Sequence, residues 1–303
     1  MVLRSIMAGA AMLLAAECFT VSAKAQETAG GVEGCAFINS TSDQMDAVLR
    51  DKGAVIDGYG AFCTQLNAAN MGVDVAEFAR PQFDETAAVV TLRLYDLATG
   101  VRGPESSSAL TVVTGTDAVA NVEALSNAFD RALQDMADQL DTFTASVRNE
   151  KARLAALYSE PAAPLVRDTA EPCRLLYVGS ANMNEAIDRW GGFPQFDGYD
   201  ALCRALRARG AGLGFAGGGA MNGTTSQAWA SVSVYDAATQ TLGAATAFGI
   251  AATQNAQEAQ VDDNLFQALG GALAGVAREQ EAVLATLDLV LAGDRRTFAA
   301  ESP

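Results

Sequence analysis

Apolar and polar positions alternate cleanly along two stretches of the chain. In the first, Val90, Leu92 and Leu94 share one face, while Val89, Thr91, Arg93 and Tyr95 share the other. In the second, Ala230, Val232 and Val234 oppose Trp229, Ser231, Ser233 and Tyr235. A period of two predicts strands with one face packed on helices. Around them, spacing and breaker residues predict a helix from Ser42 to near Gly53 and a second from Gly58 to Asn70. Strands follow over Val73–Phe78, Ala88–Tyr95 and Ala109–Val113, then a long helix from Asp117. The remainder repeats the order: a helix to about Trp190, a helix over Gly198–Arg209, strands over 211–221, 227–235 and 242–250, and a long helix from about Ala256. Turn signals at Ala98-Thr99-Gly100 and Asn222-Gly223 predict antiparallel hairpins, hence an α+β fold.

The long helices carry apolar stripes. Phe129, Leu133, Met136, Leu140, Phe143, Val147 and Leu154 advance by alternating fours and threes, skipping Glu150. Phe266, Leu269, Leu273, Val276, Val283, Leu287 and Val290 do likewise, with Gln280 in the seam. Such spacing keeps a stripe aligned along a partner. Packing on the chain's own sheet or on the other half's helix is favoured over an intermolecular coil, for which Leu287 and Val290 would be the contacts.

The segments themselves recur. Asp57-Gly58-Tyr59-Gly60-Ala61-Phe62-Cys63 returns as Asp197-Gly198-Tyr199-Asp200-Ala201-Leu202-Cys203, about 140 positions on. Tyr95-Asp96 answers Tyr235-Asp236, and Phe129 answers Phe266. The expectation is two tandem repeats, 35–157 and 173–292, each a three-stranded antiparallel meander flanked by helices and ending in a long amphipathic helix. A proline-rich linker, 158–172, joins them; 26–34 is a lead and 293–303 a frayed tail. A monomer with its repeats about a pseudo-twofold axis is expected over a homodimer.

Export changes the picture at the N-terminus. Arg4, the apolar run Ile6–Ala16 and Ala23-Lys24-Ala25 have the layout of a secretory signal, residues 1–25. The mature protein is then periplasmic or secreted, without stable membrane insertion. Four cysteines remain beyond it, and the repeat pairs them as Cys35 with Cys63 and Cys173 with Cys203. A net charge of −16 opposes nucleic acid as a partner.

With no histidine in the chain, Ser-His-Asp and Cys-His catalysis and HExxH metalloproteolysis are excluded within it. No pair of cysteines has zinc-finger spacing, so neither a metal nor a cofactor is expected. Gly212-Leu213-Gly214-Phe215-Ala216-Gly217 matches a dinucleotide fingerprint in letters, but a helical run precedes it and a hairpin follows. Asp57 and Asp197 are placed to cap helices, and Asp96 and Asp236 to enter turns. The mixed aromatic and polar face bearing Arg93, Tyr95, Trp229 and Tyr235 is the candidate binding face. It meets solvent, a ligand or partner, or the other repeat. The function expected is non-catalytic: binding of an envelope protein or glycan, or assistance in assembly. The alternative is a carboxylate-dependent enzyme, glycan-active, with its cleft between the repeats.

Overall fold

The computed structural model describes residues 34–39, 43–51, 56–159, 175–177 and 196–299. Outside these lie the signal segment, Cys173, the linker from residue 160 and the helix predicted before Trp190.

The described chain is mixed α+β, with seven helices and two four-stranded sheets. In the first half the order is β1 (Phe37–Asn39), α1 (Asp43–Asp51), α2 (Tyr59–Ala68), β2 (Met71–Gln82), β3 (Glu85–Asp96), β4 (Ser107–Thr114), α3 (Ala118–Asp138) and α4 (Leu140–Ser159). The second half runs β5 (Leu175–Tyr177), α5 (Tyr199–Ala208), β6 (Ala211–Asn222), β7 (Thr225–Asp236), β8 (Leu242–Thr253), α6 (Gln260–Arg278) and α7 (Gln280–Ala299).

Each sheet contains the expected antiparallel meander, β2-β3-β4 and β6-β7-β8, and one further strand. β1 lies parallel to β2, with Phe37 opposite Val73, and β5 lies parallel to β6, with Leu175 opposite Leu213. Three residues are too few to reveal a period, which is why alternation does not predict them.

One face of each sheet packs on helices as its pattern requires. Val73, Val75, Val90, Leu92 and Leu94 bury against Phe129, Leu133 and Met136 of α3. Leu213, Phe215, Val232 and Val234 bury against Leu269, Leu273 and Val276 of α6. Asp117 starts α3 by accepting a hydrogen bond from the Ala120 amide at 2.8 Å.

Where the pattern predicts one long helix per half, the structure has two. α3 stops at Asp138 and α4 starts at Leu140, with Gln139 outside helical geometry at φ −117°, ψ 22°. A continuous helix of that length would run to about 60 Å, beyond a twelve-residue strand of about 40 Å. The break lets α3 follow the sheet while α4 turns away, and the stripe serves both. Its end, Leu154, is buried with Val101 and with Phe298 of the other half. Leu287 is buried in its own half's core, so it does not reach a coil partner.

Three further expectations are corrected. Residues 293–299 are helical and not a frayed tail. Phe266 is only half-buried, stacked on Phe196 with centroids 4.4 Å apart; Leu269 fills the core position matching Phe129. Asp57 and Asp197 are exposed and cap nothing. The helices start instead from Gly58 and Gly198, both left-handed at φ 77° and 78°, which turns the preceding carboxylates out to water.

Cys35 and Cys63 form a disulfide across 28 residues inside the first core. Cys203 is disulfide-bonded too.

Candidate functional site

Asp96 and Asp236 close equivalent turns. The Thr99 amide and hydroxyl both donate to Asp96 Oδ1 at 2.8 Å, and those of Thr239 donate to Asp236 Oδ2 at 2.7 and 2.9 Å. These carboxylates serve the backbone, as the sequence predicts. Gly212, Gly214 and Gly217 lie inside β6, which runs by hairpin into β7, so no helix N-terminus follows to meet a pyrophosphate.

The face bearing the candidate residues is where the halves meet. Ala87, Val89 and Ile250 are buried together, with Phe78, Leu110, Val112, Trp229 and Phe248 packed around them. Phe78 stacks on Phe248 with centroids 6.4 Å apart. Trp229 packs against this cluster, to which both halves contribute, and of the three uses the sequence leaves open this fits contact with the other repeat. Tyr95 and Tyr235 are buried as well. Tyr95 covers its cross-strand partner Gly72, where an added Cβ would meet the ring at 2.6 Å.

Arg93 belongs to an ionic cluster. It sits opposite Asp74 in the ladder, and Arg102 Nε donates to Asp74 Oδ2 at 2.5 Å. Burial lowers the Arg93 guanidinium's pKa, with Arg102 adding to the effect and Asp74 opposing it. The same ladder positions in the second half hold Gly214, Ser233 and Leu242, so the cluster belongs to one half only. Across the junction it faces Asp294 of α7, which is buried. Burial and then the Glu150 carboxylate push Asp294 up to about 6, against the pull of Arg153 and Arg102. Arg153 forks onto Glu150 at 2.8 and 2.5 Å, and Lys151 Nζ donates to Asp96 Oδ2 at 3.0 Å. These pairs tie α4 to the end of β3 and Arg102 to β2, while Asp74 Oδ1, Arg93 Nε and Asp294 Oδ2 are buried without a hydrogen-bond partner.

Open space lies elsewhere, at the edge of β4. A cavity of about 640 Å³ is lined by Leu110, Thr111 and Val112 of β4 and by Asn127, Asp130 and Arg131 of α3. The other half closes it with Ala220, Met221 and Gln227 from the β6–β7 hairpin. Asn127 and Arg131 are exposed at its rim, while Gln227 is buried. Sequence reasoning misses this site. A polar face on α3 is the ordinary pattern of a surface helix, and only the tertiary fold brings the second hairpin to it.

The chain matches no protein-family model, no curated protein and no solved structure.

Proposed function

We propose that this chain is an exported envelope protein, periplasmic or secreted, that binds a partner and catalyses no reaction. The observation that carries the reading is the cavity at the β4 edge. Its volume of about 640 Å³ falls in the range of ligand sites, roughly 300–1,000 Å³. Both halves wall it, and amide, carboxylate and guanidinium groups stand at its rim. Such groups suit polar contacts with a partner.

The Cys35–Cys63 bond supports export, because such bonds persist in oxidising compartments. No described helix is long and apolar enough to cross a membrane. We also infer that the halves descend from one duplicated unit. Their long strands begin at Met71 and Ala211 and at Glu85 and Thr225, and both Asx turns recur. Packing of the two sheets through matching faces fits a pseudo-twofold arrangement.

The enzyme alternative requires two carboxylates about 5–10 Å apart across a pocket. The cavity lining offers one, Asp130. Photocrosslinking from Arg131 in the intact envelope tests the reading, and capture of a partner is expected.

A further inference from the structure

The floor of the cavity is an edge of β4. Among the described residues, β4 pairs with β3 on one side and with no strand on the other. Leu110, Thr111 and Val112 are consecutive, so their side chains alternate between the two faces of the sheet. All three nevertheless line one space. Only the edge between the faces allows that.

The register shows which backbone groups this edge offers. The Gly115 amide donates to the Asp84 carbonyl at 2.7 Å, just outside the Glu85/Thr114 pair. That pair is therefore one whose own members exchange no hydrogen bonds. Alternation gives Ala87/Val112 and Val89/Leu110 the same character. The N–H and C=O of Val112 and Leu110 consequently point away from β3, at the two-residue repeat a further strand would match. Thr111, between them, bonds to β3.

The second half shows what meets the equivalent position. Ile250 stands opposite Trp229 as Leu110 stands opposite Val89. Its carbonyl accepts from Gln82 Nε2 at 3.3 Å, an amide brought by the β2–β3 hairpin of the first half. At Leu110 the corresponding edge faces the cavity, and the space continues the interface already formed between the halves. The strand Ser107-Ser108-Ala109-Leu110-Thr111-Val112-Val113-Thr114 also carries no charge, proline or bulge, the usual devices that keep an edge unpaired.

We propose that β4 accepts an extended segment of a partner polypeptide as a fifth strand of the first sheet. The segment pairs with the outward groups of Leu110 and Val112 and places an apolar side chain against Ala220 and Met221. This rests on the partner-binding reading and gives the partner's form. Main-chain pairing supplies affinity and the pocket supplies selection.

The probe is a synthetic ten-residue peptide taken from a random phage-displayed library selected on the whole chain. On saturation, the Leu110 and Val112 amides should exchange at least about tenfold more slowly, while Thr111 is unchanged. Val112→Pro removes an outward donor but no β3–β4 bond, and should weaken binding about tenfold. Ala220→Trp, which fills the cavity from the opposite wall, should abolish it. Melting curves near the parent's will show that both variants fold. A peptide that binds without slowing Leu110 and Val112, or binds Val112→Pro equally, overturns the proposal. So does slowing that follows protein concentration alone, which makes a second copy the occupant. Should no peptide bind while the Arg131 photocrosslinker captures an envelope protein, the strand proposal falls and the partner reading stands. Failure of both removes both.

Discussion

Tyr158 of α4 and Phe298 of α7 stack with their planes 2° apart and their centroids 6.4 Å apart. The last helices of the two halves are joined there, around the buried residues Val101, Leu154 and Phe298. Phe298→Ala should cost about 3–5 kcal/mol through the cavity it leaves. Hydrogen exchange should quicken in the last turns of α4 while β3 keeps its protection. Equal loss in β3 would mean that the helix pair is no separate contact.

Beside this stack, Asp294 makes the junction sensitive to pH. Its carboxyl is raised to about 6, by burial first and by Glu150 second. A raised acid favours folding while it stays neutral, so its contribution is complete below the ordinary aspartate value, about 4. That contribution is lost as pH rises through about 6. Melting temperature should therefore fall by several degrees between pH 5 and pH 7, and Asp294→Asn should flatten this part of the profile.

The disulfide is expected to stabilise the first half mainly through its unfolded chain. With the cysteines 28 positions apart, replacing Cys35 and Cys63 by serine should cost about 3–4 kcal/mol in denaturant unfolding. Non-reducing peptide mapping should find Cys203 linked to Cys173.

Gly249 and Ala109 occupy matching ladder positions, opposite Ala230 and Val90. A Cβ at Gly249 would come within 1.9 Å of the Ala268 carbonyl oxygen, so α6 lies closer to its sheet than any side chain allows. Gly249→Ala should destabilise by about 1–3 kcal/mol despite the better strand propensity of alanine. Ala109→Gly, with no such approach to relieve, should cost about 0.5–1 kcal/mol. Chemical denaturation of the two variants compares them directly.

What the sequence reveals is whatever a local period or a cap encodes. β3 and β7 alternate, Asp117 caps α3, and Asn222-Gly223 turns a hairpin, each through forces acting within a few residues. The three residues of β1 owe their pairing to β2, more than thirty positions away. Gln139 carries no breaker signal, since the sheet's length ends α3 there. Asp57 looks like a cap because its type and place fit, but the left-handed Gly58 directs it elsewhere. The candidate face is legible as unusual, yet its use depends on the other sheet. The cavity, built from α3, β4 and a hairpin about 90 positions later, has no local trace at all.

Site-specific photocrosslinking in the envelope is the most direct test of partner binding. One crosslinker replaces Arg131 at the cavity rim and another replaces Asp57, exposed in the turn before α2. The account predicts a discrete adduct with one polypeptide from position 131, none from position 57, and loss of the adduct when Ala220→Trp fills the cavity. Equal labelling from both positions, or an adduct from position 131 that survives Ala220→Trp, would contradict it.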